Sequence, residues 1–137
     1  MTELSAGTDP KPSETHTFSL LIDSVWYSLQ LDSSKIDMSS PVSCLDSQIL
    51  TDLILTPVLG ITDVKNDSRI DFVGGIRGIG ALEDRCNKDC VAAIAMYPNT
   101  IEELIAVADA NLIMPPKSTW FEPKPRSGFV VRCFGQE

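Results

Sequence analysis

The 137-residue chain carries a net charge of −8 at pH 7, and 43% of its residues are apolar. This apolar content is sufficient for a hydrophobic core and excludes a wholly disordered chain. The acidic excess disfavours binding to nucleic acid or anionic membranes, because both require a cationic surface. No apolar run approaches the roughly 20 residues that span a bilayer, and no targeting pattern precedes the first strand, so we expect a cytoplasmic location.

The first element in chain order is a polar segment, residues 1–16, which is typical of a disordered leader. We expect a single domain over residues 17–137 to follow it. Apolar and polar residues alternate in TFSLLI and VWYSLQ on either side of Asp23-Ser24. This pattern predicts an N-terminal β-hairpin with a tight turn at that pair. Because the pair lacks the favoured glycine, the sequence leaves the hairpin register open.

A helix is predicted to begin at Ser43, since Asp46 three residues later resembles the partner in a capping box. Pro57 and Gly60 are expected to end this helix. Its apolar face is formed by Leu45, Ile49, Leu53 and Ile54.

A strand, a helix and a second strand are predicted next, at residues 69–73, 78–87 and 90–97. The last of these, CVAAIAMYP, lacks alternation and therefore predicts a central strand that is buried on both faces. Thr100 and Glu103 form a second capping box, which predicts a helix ending near Asn111. The core stripe of that helix is expected to be Ile101, Leu104, Ile105 and Ala108.

A final strand is predicted at GFVVRCF, residues 128–134. The order of elements indicates an α/β fold, with α+β as an alternative. We expect a two-layer sandwich in which one mixed sheet of about five strands has helices mainly on one face.

The four cysteines are predicted to be free thiols, because nothing in the sequence signals secretion. Cys86 and Cys90 stand one helical turn apart, without the further ligands of a zinc site. We therefore expect no metal and no cofactor. The only histidine is His16, in the predicted leader, which argues against a Ser/His or Cys/His dyad in the ordered chain.

The first candidate site is a glycine-rich turn between a predicted strand and a predicted helix. Exposed backbone N–H groups and the positive end of a helix can face a phosphate, and an arginine can hold it with two hydrogen bonds. The glycine spacing matches neither the dinucleotide-binding nor the P-loop pattern, so on the residues alone a tight packing turn is the favoured interpretation. The candidate ligand-binding residues here are Asp71, Gly74, Gly75, Arg77 and Gly78.

The second candidate site is the proline-rich strap, residues 113–128, which places cations and hydroxyls around two aromatic rings. Prolines hold an extended shape, so little entropy is lost when such a segment binds a ligand. The alternative is a structural flap in which Trp120 and Phe121 cover the edge of the core. The candidate ligand-binding residues are Lys117, Ser118, Thr119, Trp120, Lys124 and Arg126.

A third possibility is that a carboxylate pair acts as acid and base or holds a divalent cation. For each carboxylate separately, solvated surface charge or helix capping is the simpler interpretation. The candidates are Asp71, Glu83, Asp109 and Glu122.

Three segments carry a family resemblance: RIDFVGGIRG with the following LE, AMYP with IEELIAVAD, and MPPKSTWFEPKPRSG. Together they resemble the C-terminal part of a prokaryotic family known as domain of unknown function 1015, over about residues 17–132. Members of that family are roughly three times longer and carry an upstream ADGHHR-like segment that this sequence does not contain. The resemblance implies either a domain dissected from such a protein or an independent protein that kept only its companion half.

Three functions follow from these patterns. The leading hypothesis is an accessory ligand-binding domain, not an enzyme by itself, for a small phosphorylated or carboxylated metabolite. One alternative is a structural module that docks through Trp120 and Phe121 on an upstream domain or a second copy of the chain. The other is metal-assisted phosphoryl transfer, with Asp71 or Glu122 holding the metal and Lys117 steadying the phosphate.

Overall fold

The computed structural model describes residues 1–119, and within them the chain forms a mixed α/β fold. Its antiparallel sheet has the strand order β1-β3-β2-β4. The strands are β1 (Thr2–Glu3), β2 (Thr17–Ile22), β3 (Val25–Gln30) and β4 (Ala92–Met96). The α-helices are α1 (Asp46–Leu50), α2 (Gly78–Cys86) and α3 (Ile101–Asp109). The fold class is confirmed, with four antiparallel strands in the described part where about five strands in a mixed sheet were predicted. The strand predicted at 128–134 lies outside the described residues.

The predicted N-terminal hairpin is confirmed, and the structure supplies its register. Strands β2 and β3 pair continuously from Thr17 opposite Gln30 to Ile22 opposite Val25. The two turn residues both have positive φ angles, 49° at Asp23 and 63° at Ser24. Two consecutive left-handed residues form the turn that matches the right-handed twist of the two strands.

Strand β2 directs its side chains alternately to two faces, and each face carries a helix. Phe18, which is 1% exposed, packs in a core cluster with Ile49 and Leu50 of α1. Leu21, which is 3% exposed, points to the opposite face and lines a cleft with Cys86 of α2. Helices α1 and α2 therefore lie against opposite faces, whereas the sequence predicted helices mainly on one.

The segment predicted to be a leader contributes an edge strand to the sheet. Thr2 and Glu3 pair antiparallel with Ser28 and Tyr27, and the amide of Leu4 donates to the carbonyl of Trp26 over 2.9 Å. These contacts attach the first residues of the chain to β3. The division into a leader, residues 1–16, and a domain, residues 17–137, stays a prediction.

The first helix begins later than predicted. Its N-cap is Leu45, with no side-chain capping bond, and Asp46 is the first helical residue. The predicted capping box of Ser43 and Asp46 is wrong because the Asp46 carboxylate accepts a hydrogen bond from the distant backbone amide of His16 instead. After α1 the chain continues as a π-helical segment, Thr51–Leu55. The predicted end near Gly60 is confirmed, and that glycine has a φ of 65°.

Residues 69–73 do not form the predicted strand. Instead, the polar side chains of this segment bind neighbouring helices and turns. The Arg69 guanidinium donates to the carbonyls of Leu59 and Gly60 and forms a two-point contact with Asp67. That contact lowers the pKa of Asp67 to about 2. Within the described residues, segment 69–73 pairs with no strand.

Strand β4 lies at the edge of the described sheet, opposite β1. Ala95 is buried, but Val91 and Met96 are exposed. The burial on both faces that its apolar run predicted is therefore not observed within residues 1–119.

Helix α3 has the predicted capping box but buries a different face. The Thr100 hydroxyl accepts from the Glu103 amide, and the Glu103 carboxylate accepts from the Thr100 amide over 2.7 Å. Val107 is 1% exposed, whereas Ile101 and Ile105 are 70% and 52% exposed. The predicted core stripe is wrong because the buried residue, Val107, lies on the side of the helix that carries Glu103, one turn earlier.

The two left-handed positions Ser24 and Gly60 predict stability changes of opposite sign. Ser24→Gly should raise the free energy of unfolding by about 1 kcal/mol, because glycine removes the Cβ clash of a positive φ. Gly60→Ala should lower it by about 1 kcal/mol, and since nothing lies within 4 Å of the added Cβ, that loss reports backbone strain alone. Urea denaturation of both variants measures the two changes, and changes of equal sign would contradict the turn geometry.

Candidate functional site

The glycine-rich turn leads directly into α2 and leaves the start of that helix uncapped. Gly75–Arg77 forms a 3-10 turn, and Gly78 then adopts φ 71° and ψ −179°, a conformation that is open to glycine. Helix α2 has no side-chain capping bond at its N-terminus and no acidic residue in its first turn. The positive end of its dipole is therefore not neutralised by its own side chains.

Asp71 connects this turn to the body of α2. Its carboxylate accepts from Arg85 Nη1 over 2.6 Å and from the Phe72 amide over 2.8 Å. These bonds, together with the charges of Arg85 and Lys117, lower the pKa of Asp71, so it is an anion at neutral pH. Arg85 also donates through Nε to Asp89 over 2.8 Å and thus bridges two carboxylates. Asp71 would repel an oxyanion, so its place in the site is to position cations.

The first residues of the strap are fixed at the start of α3. Asn99 Nδ2 donates to the Ser118 carbonyl over 2.7 Å, and the Ser118 hydroxyl donates to the Pro115 carbonyl over 2.6 Å. Lys117 has a positive φ of 61° and an exposed side chain. Its positive charge contributes to the low pKa of Asp71, while no ion pair joins the two side chains.

Two cations of the candidate site are available to a ligand in the described chain. Arg77 and Lys117 are exposed, and neither forms an ion pair with another residue of the range 1–119. Thr119 is also exposed. The other predicted strap ligands, Trp120, Lys124 and Arg126, lie outside the described residues.

The described part of this site is an open surface, whereas two cavities lie elsewhere. One cavity, of about 50 Å³, is bordered by Lys35 and Asp52. The other, of about 160 Å³, lies between the hairpin and α2, where Trp26 Nε1 donates to Glu83 over 2.9 Å. Neither cavity is lined by Arg77 or Lys117. A ligand on the open surface that carries these two residues would therefore be held by charge and not by enclosure.

A polar cluster that the sequence did not predict surrounds Asp46. This carboxylate is 3% exposed and accepts from the His16 amide over 2.8 Å, and His16 Nε2 lies 3.1 Å from the Cys44 carbonyl. Burial raises the pKa of Asp46, with Glu103 adding to the rise and His16 opposing it. His16 and Asp46 are thirty positions apart, and the only sequence signal was a carboxylate flanked by the apolar residues of a helix start.

The cluster does not contain an activated nucleophile. The Cys44 thiol donates to the Ser40 carbonyl over 3.1 Å and makes no hydrogen bond to the imidazole of His16. Burial and the charges of Asp37 and Glu103 raise the pKa of Cys44, which disfavours the thiolate. His16 therefore contacts the residues at the start of α1, but within residues 1–119 it forms no Cys/His dyad.

No family model matches the chain, and comparisons with curated proteins and with solved structures likewise find no match. The resemblance to domain of unknown function 1015 stays a prediction. Among the described helices, none has the length and apolar character that crossing a bilayer requires.

The buried Asp46 carboxylate predicts an unusual pH dependence of stability. Because the folded state raises its pKa above 3.8, the wild-type chain should gain stability relative to Asp46→Asn as the pH falls, and lose it as the pH rises through the folded-state pKa. Urea denaturation of both proteins between pH 2 and pH 8 measures this difference.

Asp67→Asn is the control of opposite sign. Its folded-state pKa is about 2, so the wild type should lose its advantage over this variant as the pH falls below 3.8. Parallel pH profiles for the two variants would contradict the assignment of Asp46 as a destabilised buried anion.

Proposed function

We propose that this chain is an accessory, cytoplasmic ligand-binding domain for a small phosphorylated or carboxylated molecule. The observation that carries the proposal is the start of α2, which follows the glycine turn and has neither a side-chain cap nor an acidic residue in its first turn. The positive charge of Lys117 in the strap contributes to the low pKa of Asp71, which supports a surface shared by both candidate segments. The proposed ligand is recognised by its oxyanion, and the proposal involves no nucleic acid, membrane or cofactor.

The local electrostatics support an anion at this surface although the chain as a whole is acidic. Arg85 is shared between Asp71 and Asp89 and so offsets part of the charge of Asp71, while Arg77 and Lys117 have no ion-pair partner within residues 1–119. The uncapped start of α2 adds partial positive charge from its first amides. A guanidinium and an ammonium beside open amides form the set of donors that binds phosphate or carboxylate groups in proteins.

The chemistry of the surface limits the ligand to a small molecule. With a net charge of −8, the chain repels polyanions at long range, while a compact anion needs only the local donors. Metal-assisted phosphoryl transfer receives no support from Asp71, because its carboxylate is bound to Arg85 and is not free to bind a cation.

A second candidate function, a protein-interaction module, is supported by exposed apolar side chains near α3. Ile101, Ile105 and Ile113 are all exposed in the described structure. In this case we propose an upstream domain or a second copy of the chain as the partner. These are the same partners that the sequence suggested for docking through Trp120 and Phe121. Sedimentation of the chain distinguishes the two: a concentration-dependent dimer that Ile101→Ser with Ile105→Ser abolishes supports self-association, and a monomer at all concentrations contradicts it.

Titration with phosphoserine, inorganic phosphate and nucleotides tests the ligand-binding function. Backbone amide shifts should change at residues 74–80 and 117–119, at constant ionic strength. Arg77→Ala and Lys117→Ala should each weaken binding by more than tenfold, because a charge-assisted hydrogen bond contributes about 1.5–3 kcal/mol. Lys65→Ala removes the same charge outside both segments and should change the affinity little. Absence of any shift at both segments at millimolar ligand would contradict the proposal.

A further inference from the structure

Two free thiols lie at the C-terminal end of α2, on either side of a three-residue turn. Cys86 is the last residue of α2, and Cys90 follows the turn formed by residues 87–89. The amides of Lys88, Asp89 and Cys90 all donate to the carbonyl of Arg85, at 3.0, 2.9 and 3.0 Å. The chain therefore reverses tightly around this one carbonyl.

This turn brings the backbones of the two cysteines together. The Arg85 carbonyl carbon is bonded to the nitrogen of Cys86, so the hydrogen bond from the Cys90 amide places the backbone of Cys90 beside that of Cys86. A disulfide requires Cα atoms within about 7 Å of each other, and a turn closed by the hydrogen bond from the Cys90 amide to the Arg85 carbonyl is compatible with that distance.

The thiols are accessible to a small reagent. Both side chains are partly exposed, and Cys86 lines the 160 Å³ cavity beside Trp26. The Cys90 thiol lies 3.6 Å from the Asp89 carboxylate. A fully buried structural cysteine would lack this access.

We propose that Cys86 and Cys90 form a reversible dithiol–disulfide site that low-molecular-weight disulfides such as oxidised glutathione oxidise. The thiolate of Cys90 attacks one sulfur of oxidised glutathione, which releases one glutathione thiolate and leaves a mixed disulfide. The thiolate of Cys86 then attacks the Cys90 sulfur and displaces the second glutathione. Two thiols lose two electrons and two protons, and two molecules of reduced glutathione are formed.

The environment of Cys86 makes the closing step dependent on pH. Burial and the charge of Asp89 raise the pKa of the Cys86 thiol, whereas Cys90 carries no charge at this step because its sulfur is in the mixed disulfide. Because the thiolate is the attacking species, the rate of closure should rise about tenfold per pH unit between pH 7 and pH 8.5. The closed disulfide encloses Asp89 and so restrains the carboxylate that holds Arg85 Nε.

Tryptic mapping of the oxidised chain tests the site directly, because trypsin cuts after Arg85 and after Lys88. The full chain is incubated with oxidised glutathione, its remaining thiols are alkylated, and it is digested. We expect a mass loss of two hydrogens and a peptide of residues 86–88 linked to the peptide 89–117. Dithiothreitol should remove the link.

Serine variants separate this site from the other cysteines. Cys86→Ser and Cys90→Ser, with circular dichroism showing that they are folded, should abolish the linked peptide and accumulate a stable mixed disulfide on the remaining thiol. Cys44→Ser and Cys133→Ser should leave the link intact. The proposal is overturned if the wild-type chain stops at mixed disulfides, if Cys86 or Cys90 pairs instead with Cys44 or Cys133, or if isotope mixing shows that the link joins two chains.

Discussion

Strand β2 is paired along both of its edges, and this double pairing is the constraint on which the rest of the described chain depends. The hairpin turn at Asp23-Ser24 fixes β3 on one side, and β4 adds to the other from more than seventy residues later in the chain. In this register the side chains of β2 alternate between the two faces of the sheet. Phe18 packs against α1 on one face, and Leu21 lines the cleft beside α2 on the other. A slip by one residue would exchange those faces and separate both helices from the sheet.

The position of α2 on the sheet determines the candidate site. Its last turn carries Arg85, whose guanidinium holds Asp71 and so attaches a segment without regular secondary structure. From Asp71 the chain enters the glycine turn, and the charge of Lys117 acts on the same carboxylate from the strap. The same helix end carries Cys86, which places the proposed thiol chemistry one residue from the arginine that organises the proposed anion surface.

Sequence signals between neighbouring residues predicted local structure correctly. The predictions that were wrong concern contacts between residues that are distant in the chain. The hairpin and the capping box of Thr100 depend on neighbours within a few positions, and both are confirmed. The capping box at Asp46 was wrong because His16, thirty residues earlier, provides the stronger partner for that carboxylate. The buried face of α3 was wrong because periodicity identifies an apolar stripe but not the surface that the helix meets. For the site, the sequence identified which segments carry glycines and cations, but it could not reveal that Arg85 binds Asp71.

The pKa of the Asp71 carboxyl, followed by NMR in the wild type and in Lys117→Ala, tests most directly whether the strap lies near the segment that leads to the glycine turn. Because the positive charge of Lys117 lowers the pKa of Asp71, we expect that pKa to rise in Lys117→Ala and to stay unchanged in Lys65→Ala. An Asp71 pKa that is the same in the wild type and in Lys117→Ala would show that the two candidate segments do not share a surface.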